Sequence, residues 1–71
     1  MELSASEQRV LQVFRKFRVG PGQMLCLNSN DQKRFRSSLQ KLLSKNVLVR
    51  ETFKGAYSLT PEGFTVMREL A

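Results

Sequence analysis

The side chains best suited to chemistry in this sequence are the basic and polar residues that lie between Asp31 and Asn46. At about 100° per residue, one side of a helix over this stretch gathers Asn30, Lys33, Arg34, Ser37, Gln40, Lys41 and Ser44. These groups donate hydrogen bonds and several carry positive charge, so together they suit an anionic ligand. A charged helix face of this kind is either solvated or bound to a partner, and the rest of the chain must decide between the two.

An apolar stripe on the opposite side of the same stretch predicts one amphipathic helix from Asp31 to Asn46. The stripe consists of residues spaced i, i+4, i+7 and i+8, namely Phe35, Leu39, Leu42 and Leu43. A capping box of Ser29 and Gln32 is expected at its start, and Asn46 is expected to take the left-handed conformation that ends a helix. The stripe must be buried against other elements, which leaves the basic side outward.

Positive charge is concentrated in this helix and in the segment that follows it. The net charge of the chain is +6. Residues 32–54 hold that whole excess, with Glu51 as the only acid against Lys33, Arg34, Arg36, Lys41, Lys45, Arg50 and Lys54. A concentrated patch attracts polyanions, because each phosphate that is neutralised releases condensed counterions.

Composition argues against several function classes. The chain has no histidine and a single cysteine, so zinc sites and catalysis by histidine or cysteine are not expected, and we expect neither an enzyme nor a cofactor. Cys26 stands in the apolar run 24–27 and is expected to be a small buried hydrophobe. No apolar run reaches the length of a membrane span, and the sequence MELSASEQRV is polar and acidic. No membrane partner and a cytoplasmic location are therefore expected.

The N-terminal segment predicts a first helix from Ser4 to about Arg18. Ser4 and Glu7 fit a capping box, and an inward stripe follows at Val10, Leu11, Phe14 and Phe17. The Gly-Pro-Gly sequence at 20–22 ends this helix. Residues 22–28 are compatible with a short helix or a short strand, because periodicity cannot separate the two over so few positions; we favour the helix.

Alternation and β-branched residues after Asn46 predict a β-hairpin. Residues 47–53 and 56–59 would form its strands, joined by a tight turn at Lys54 and Gly55. Alternation directs four residues inward, Val47, Val49, Tyr57 and Leu59, and two outward, Arg50 and Lys54. Phe53 stands at the tip, where its ring would either meet a partner pocket or tuck against the sheet.

A last helix is predicted from Thr60 to the end of the chain. Thr60 suits its cap, Pro61 its first position and Glu62 its first turn. Its apolar face consists of Phe64, Met67 and Leu70. That face would pack in the core of this chain or pair with a second copy in a homodimer.

Two runs, LQKLLSKNVLVRE at residues 39–51 and GAYSLTPEGF at residues 55–64, resemble the winged helix-turn-helix family of DNA-binding domains. The first is similar to the family's passage from recognition helix to first wing strand, with Asn46 where a glycine commonly stands. The second is similar to the second wing strand and the Leu-Thr-x-x-Gly that opens the closing helix. The resemblance spans nearly all of residues 1–71. It implies one α+β, mainly helical domain: a winged helix with a three-helix core, a short β-hairpin wing and a C-terminal helix.

The resemblance also implies a partner, double-stranded DNA, with Asp31–Asn46 as the recognition helix. Its implied base contacts are Lys33, Arg34, Ser37 and Gln40. The implied phosphate contacts are Arg36 and Lys41, with Arg50 and Lys54 on the wing. The chain would be a small transcriptional regulator that binds a specific sequence or duplex DNA in general, associated with the nucleoid if it is bacterial. The alternative is a winged-helix protein-interaction module without DNA binding, with Phe53 as the expected contact.

Overall fold

The computed structural model describes residues 2–70, which form helices and an antiparallel sheet. The elements follow in the order α1 (Ala5–Lys16), β1 (Met24–Cys26), α2 (Ser29–Arg34), α3 (Arg36–Ser44), β2 (Leu48–Arg50), β3 (Ala56–Leu59) and α4 (Pro61–Glu69). The strands are arranged β1-β3-β2, so β3 is the central strand. About half of the chain is helical, which agrees with the predicted α+β, mainly helical class. None of the helices within residues 2–70 has the length and apolar character that a membrane crossing needs.

Helix α1 begins as predicted. The Ser4 hydroxyl accepts from the Glu7 backbone N–H at 3.2 Å, and the Glu7 carboxylate accepts from the Ser4 N–H at 3.0 Å. Val10, Leu11 and Phe14 are buried in the core. Phe17, expected on the same inward stripe, is 62% exposed, so that prediction is wrong. The helix ends at Lys16 with Phe17 as its C-cap, and the next buried hydrophobic residue after Phe14 is Val19.

The segment after the Gly-Pro-Gly break is a strand, so the short helix favoured for residues 22–28 is wrong. Strand β1 pairs with the centre of the sheet in the register Met24↔Ser58 and Cys26↔Ala56. Its partner lies some thirty residues further on, so no local pattern could reveal the pairing. Cys26 is exposed rather than buried, because β1 is an edge strand and only Leu25 of its three residues is half-buried.

The helix predicted over residues 31–46 is two helices, α2 and α3, which meet at Phe35 with φ −103° and ψ 11°. The capping box of Ser29 and Gln32 is also wrong. Asn28 caps α2, its side-chain oxygen accepting from the Asp31 N–H at 2.8 Å. The apolar stripe is nevertheless buried at Phe35, Leu39 and Leu42. Asn46 has φ 61°, which confirms the left-handed conformation predicted there.

The hairpin exists, but the connection between its strands is longer than predicted. Strands β2 and β3 pair in the register Leu48↔Leu59 and Arg50↔Tyr57, and residues 51–55 connect them, so the first strand ends at Arg50 and not at residue 53. The tight turn at Lys54 and Gly55 is confirmed, because the Ala56 N–H donates to the Phe53 carbonyl across it at 3.0 Å. Val49 is 45% exposed while Leu48 is buried, which reverses the inward assignment of Val49. The other inward residues, Val47, Tyr57 and Leu59, are buried, and the outward ones, Arg50 and Lys54, are exposed, as predicted.

Helix α4 closes the structure on the core. Thr60 caps it by accepting from the Gly63 N–H at 2.9 Å, and Pro61 occupies its first position, both as predicted. Met67 belongs to the buried core, and Phe64 and Leu70 are partly buried against it. The predicted apolar face therefore packs on this chain's own core. Its use between two copies stays a prediction.

Candidate nucleic-acid interface

A cleft of about 710 Å³ lies between α2, α3 and the hairpin, and we call it the hairpin cleft. Four basic side chains contribute to its lining: Lys33, Arg36, Arg50 and Lys54. The amide of Gln40 and the ring of Phe53 also line it. The structure thus brings together residues that the sequence placed in two classes, base contacts and phosphate contacts.

The break between α2 and α3 determines which basic residues reach the hairpin cleft. Lys33 lies in the last turn of α2 and Arg36 opens α3. Arg34, between them, lies over the ring of Phe35, with its guanidinium carbon 5.2 Å from the ring centre. Arg34 is not among the lining residues of the cleft. Of the two neighbouring cations predicted to contact bases, the cleft therefore includes Lys33 alone.

The remaining predicted contacts lie further along α3. Ser37 and Lys41 line a smaller depression of about 310 Å³, together with Ser44 and Lys45. Gln40 lines both this depression and the hairpin cleft. The exposed side of α3 is consequently continuous with the cleft, and Gln40 stands at the boundary.

The hairpin turn is fixed against the start of α2 by three groups. The carbonyl of Gly55 accepts from the Leu27 N–H at 2.9 Å, and the Gln32 side-chain amide donates to the Leu27 carbonyl at 2.8 Å. Gly55 has φ 78°, a left-handed conformation that glycine adopts readily. A Cβ at this position would overlap the Gln32 amide and lie 3.0 Å from the Leu27 carbonyl oxygen. Glycine is therefore required where the turn meets α2.

Phe53 is 67% exposed on the wall of the cleft. Its carbonyl accepts from the Ala56 N–H at 3.0 Å, which fixes the backbone of the turn beneath it. The ring was expected either to meet a partner pocket or to tuck against the sheet. The second expectation is wrong, because a ring packed on the sheet would not be so exposed. The ring is available to a ligand.

The cations of the cleft form no salt bridge with any acidic side chain that the structure describes. Within residues 2–70 the one salt bridge joins Lys45 to Glu7, at the far end of α3. Glu51 also lines the cleft, and its carboxylate accepts a hydrogen bond from the Ser58 hydroxyl. Four cations thus face one carboxylate, which leaves the cleft positive.

Lys45 is the cation of the basic segment that the fold uses internally. Its ammonium lies 2.8 Å from the buried carboxylate of Glu7 and 3.2 Å from the Glu2 carbonyl oxygen. Burial raises the pKa of Glu7, but the hydrogen bonds from Lys45 and Ser4 outweigh it, so the pKa lies below its ordinary value of 4.5. Glu7 is therefore charged at neutral pH.

Seven residues that line the cleft were not predicted as site residues: Ser29, Gln32, Leu39, Glu51, Thr52, Gly55 and Tyr57. Tyr57 was expected inward and is buried, yet it also contributes to the inner lining of the cleft. Glu51 carried a signal, because it is the only acid among residues 32–54. No sequence signal marked Gln32, since its contact with Leu27 depends on how the chain folds after β1.

Comparison with models of known protein families, with curated proteins and with solved structures found no match. Among residues 2–70, no three side chains of the types His, Cys, Asp or Glu are grouped as a metal ion would require.

Proposed function

We propose that this chain is a winged-helix domain that binds duplex DNA, with α3 in the major groove and the β2–β3 hairpin as the wing. The order of the elements supports the proposal: a helix, an edge strand, two helices, a hairpin and a closing helix. The antiparallel sheet with β3 between β1 and β2 agrees with the same architecture. Helix α3 has nine residues and is about 14 Å long, enough to lie in a groove about 12 Å wide.

The observation that carries the proposal is the convergence of Lys33, Arg36, Arg50 and Lys54 on one cleft without acidic partners in residues 2–70. Holding like charges together is unfavourable unless a ligand neutralises them. DNA does so with its phosphates, and the counterions released on binding drive association. A solvated face would not require charges from three separate elements to meet.

The proposed roles follow from position. Lys33, Ser37 and Gln40 lie on the α2–α3 side and would reach base edges. Four cations would hold phosphates on either side: Arg36, Lys41, Arg50 and Lys54. Arg34 is retained as a base contact on the sequence resemblance alone, since its guanidinium lies over the Phe35 ring and it does not line the cleft.

The test is the salt dependence of binding to a labelled duplex, measured by fluorescence anisotropy. Replacing Lys33 and Arg36 together by alanine should weaken binding at least 10-fold and, through the lost phosphate contact of Arg36, reduce the slope of log K against log salt by about one. The control replaces Arg9 and Lys16 of α1, which are exposed and outside the cleft, and removes the same charge. Absence of binding at low salt, or equal losses in the two double variants, would contradict the proposal.

The second candidate function is a protein-interaction module, and the exposure of Phe53 favours it. The same measurements separate the two. If the chain binds only protein, any weak DNA binding should fall equally in the cleft variant and in the variant that lacks Arg9 and Lys16.

A further inference from the structure

We infer that the hairpin cleft binds an unpaired nucleobase beside a duplex, with the base stacked on Phe53. The inference rests on the proposed function, because the duplex would be held by α3. It adds a ligand preference: a duplex with an unpaired nucleotide, as at an end or an overhang, should bind better than a continuous duplex.

The first argument is shape. The hairpin cleft is concave, lies between α2, α3 and the hairpin, and has a volume of about 710 Å³. Pockets for small ligands have volumes of roughly 300–1,000 Å³. The bases of a continuous duplex are paired and stacked, so none of them can enter such a cleft. An unpaired base has both faces and its hydrogen-bonding edge free to do so.

The second argument is the aromatic ring. Phe53 is 67% exposed and lines the cleft that also holds Arg50 and Lys54. An exposed ring beside unpaired cations is the arrangement with which proteins bind single-stranded nucleic acid: bases stack on the ring and phosphates meet the cations. A duplex contact through phosphates alone would leave the ring without a role.

The third argument is the polar lining around the ring. Gln40 and Thr52 are exposed in the cleft and offer an amide and a hydroxyl, and the carboxylate of Glu51 is a hydrogen-bond acceptor. A base edge presents both hydrogen-bond donors and acceptors, and these three side chains offer complementary acceptors and donors. Phosphate alone would have no use for the carboxylate, which repels it.

The experiment compares one duplex with blunt ends and the same duplex with a short single-stranded overhang, whose first unpaired base is a fluorescent adenine analogue. Wild-type protein should bind the overhang duplex about 10-fold more tightly and quench the analogue by stacking. Phe53→Ala should lose both the preference and the quenching while keeping its affinity for the blunt duplex. Phe53→Tyr, which keeps an aromatic face, should retain them. Because Phe53 is exposed, the alanine variant should fold, which circular dichroism checks.

Each outcome decides the matter. Equal affinity for the two duplexes, unchanged by Phe53→Ala, overturns the inference while the proposed duplex binding stands. An equal loss on both duplexes also overturns it, since the ring would then touch paired DNA. If neither duplex is bound at low salt, the proposed function itself fails, and the exposed ring is left to a protein partner.

Discussion

The two ends of the α2–α3 segment carry the same kind of charge in opposite environments. At the far end, Lys45 lies 2.8 Å from a carboxylate that is 3% exposed, that of Glu7. At the near end, Lys33 and Arg36 face the hairpin cleft and form no salt bridge within residues 2–70. The residues of the ion pair are 38 positions apart in the sequence. A count of charges along the chain therefore cannot distinguish a cation that stabilises the fold from one that is free for a ligand.

At the C-terminal end of α3, residues from α1, from the segment after α3 and from the start of α4 meet, and we call this region the closing seam. It consists of Glu7, Lys45, Asn46, Val47, Thr60 and Gly63. The Thr60 hydroxyl donates to the Asn46 carbonyl at 2.7 Å, and the Thr60 N–H donates to the Val47 carbonyl at 3.1 Å. The polar groups named in the seam are paired within the protein, whereas the four cations of the cleft form no salt bridge within residues 2–70. Substitutions in the seam should cost stability and those in the cleft should cost binding.

The largest effect is expected at Gly63, where α4 contacts the backbone of the seam. A Cβ here would overlap the Val47 carbonyl oxygen and lie 2.9 Å from its carbonyl carbon. Gly63→Ala should therefore lower the free energy of unfolding by about 2–3 kcal/mol, measured by urea denaturation. Gly20→Ala is the matched control, because its Cβ would meet only the flexible Gln23 side chain, at 3.2 Å. Similar effects at the two positions would show that the seam is not tightly packed.

The next effect concerns the ion pair. Glu7→Gln leaves the Lys45 ammonium without its carboxylate, and the expected loss is about 1–2 kcal/mol, since Lys45 is partly exposed and can still be hydrated. A double-mutant cycle with Lys45→Met should give a favourable coupling energy. Glu69→Gln, on an exposed position of α4, should change stability by less than about 0.5 kcal/mol. A coupling energy of zero would mean that the pair contributes nothing to the seam.

The third prediction is the pH dependence of the same pair. The folded-state pKa of Glu7 is below its ordinary value of 4.5, so the stabilisation is fully present above that pH and is lost as the pH falls through the folded-state pKa. The difference in unfolding free energy between wild type and Glu7→Gln should consequently shrink as the pH is lowered below about 4.5. Urea midpoints measured from neutral to acidic pH test this. If the stability difference between wild type and Glu7→Gln grew as the pH fell, the lowered pKa of Glu7 in the folded state would be contradicted.

The smallest effect on stability is expected in the cleft. Lys33→Ala and Arg36→Ala should change the free energy of unfolding by less than about 0.5 kcal/mol, because neither residue has an ionic partner in residues 2–70. The same variants should lose DNA affinity. A loss of stability as large as that of Glu7→Gln would show that the cleft cations support the fold, and the contrast between the two ends would then fail.

Several features fixed by a few neighbouring residues were predictable from the sequence, although the cap of α2 was placed one residue late, at Ser29 instead of Asn28. The capping box of Ser4 and Glu7, the left-handed Asn46 and the Thr60 cap all depend on contacts within a turn or on a single backbone angle. Features that depend on distant residues were not. Strand β1 exists because β3 pairs with it, and Cys26 is exposed because that pairing places it at an edge.

The candidate site was predictable in chemistry and less so in geometry. Its residue types followed from the charge distribution, and five of the predicted DNA contacts line one cleft: Lys33, Gln40, Arg36, Arg50 and Lys54. The helix break at Phe35 was not visible, because the apolar spacing continues through it, and Arg34 therefore lies on a different surface. Tyr57 and Gln32 join the lining only through tertiary contacts.

The contact of Gly55 with Leu27 and Gln32 has a consequence for ligand selection. The Leu27 N–H donates to the Gly55 carbonyl of the turn at 2.9 Å, and the Leu27 carbonyl accepts from the Gln32 amide of α2 at 2.8 Å. Because Leu27 thus links the turn to α2, the cleft walls need not be ordered when a ligand arrives. The entropic cost of binding should be correspondingly low. The same rigidity should make the protein intolerant of ligands whose charged groups are differently spaced. The contact at Gly55 would therefore contribute to ligand selectivity as well as to the stability of the turn.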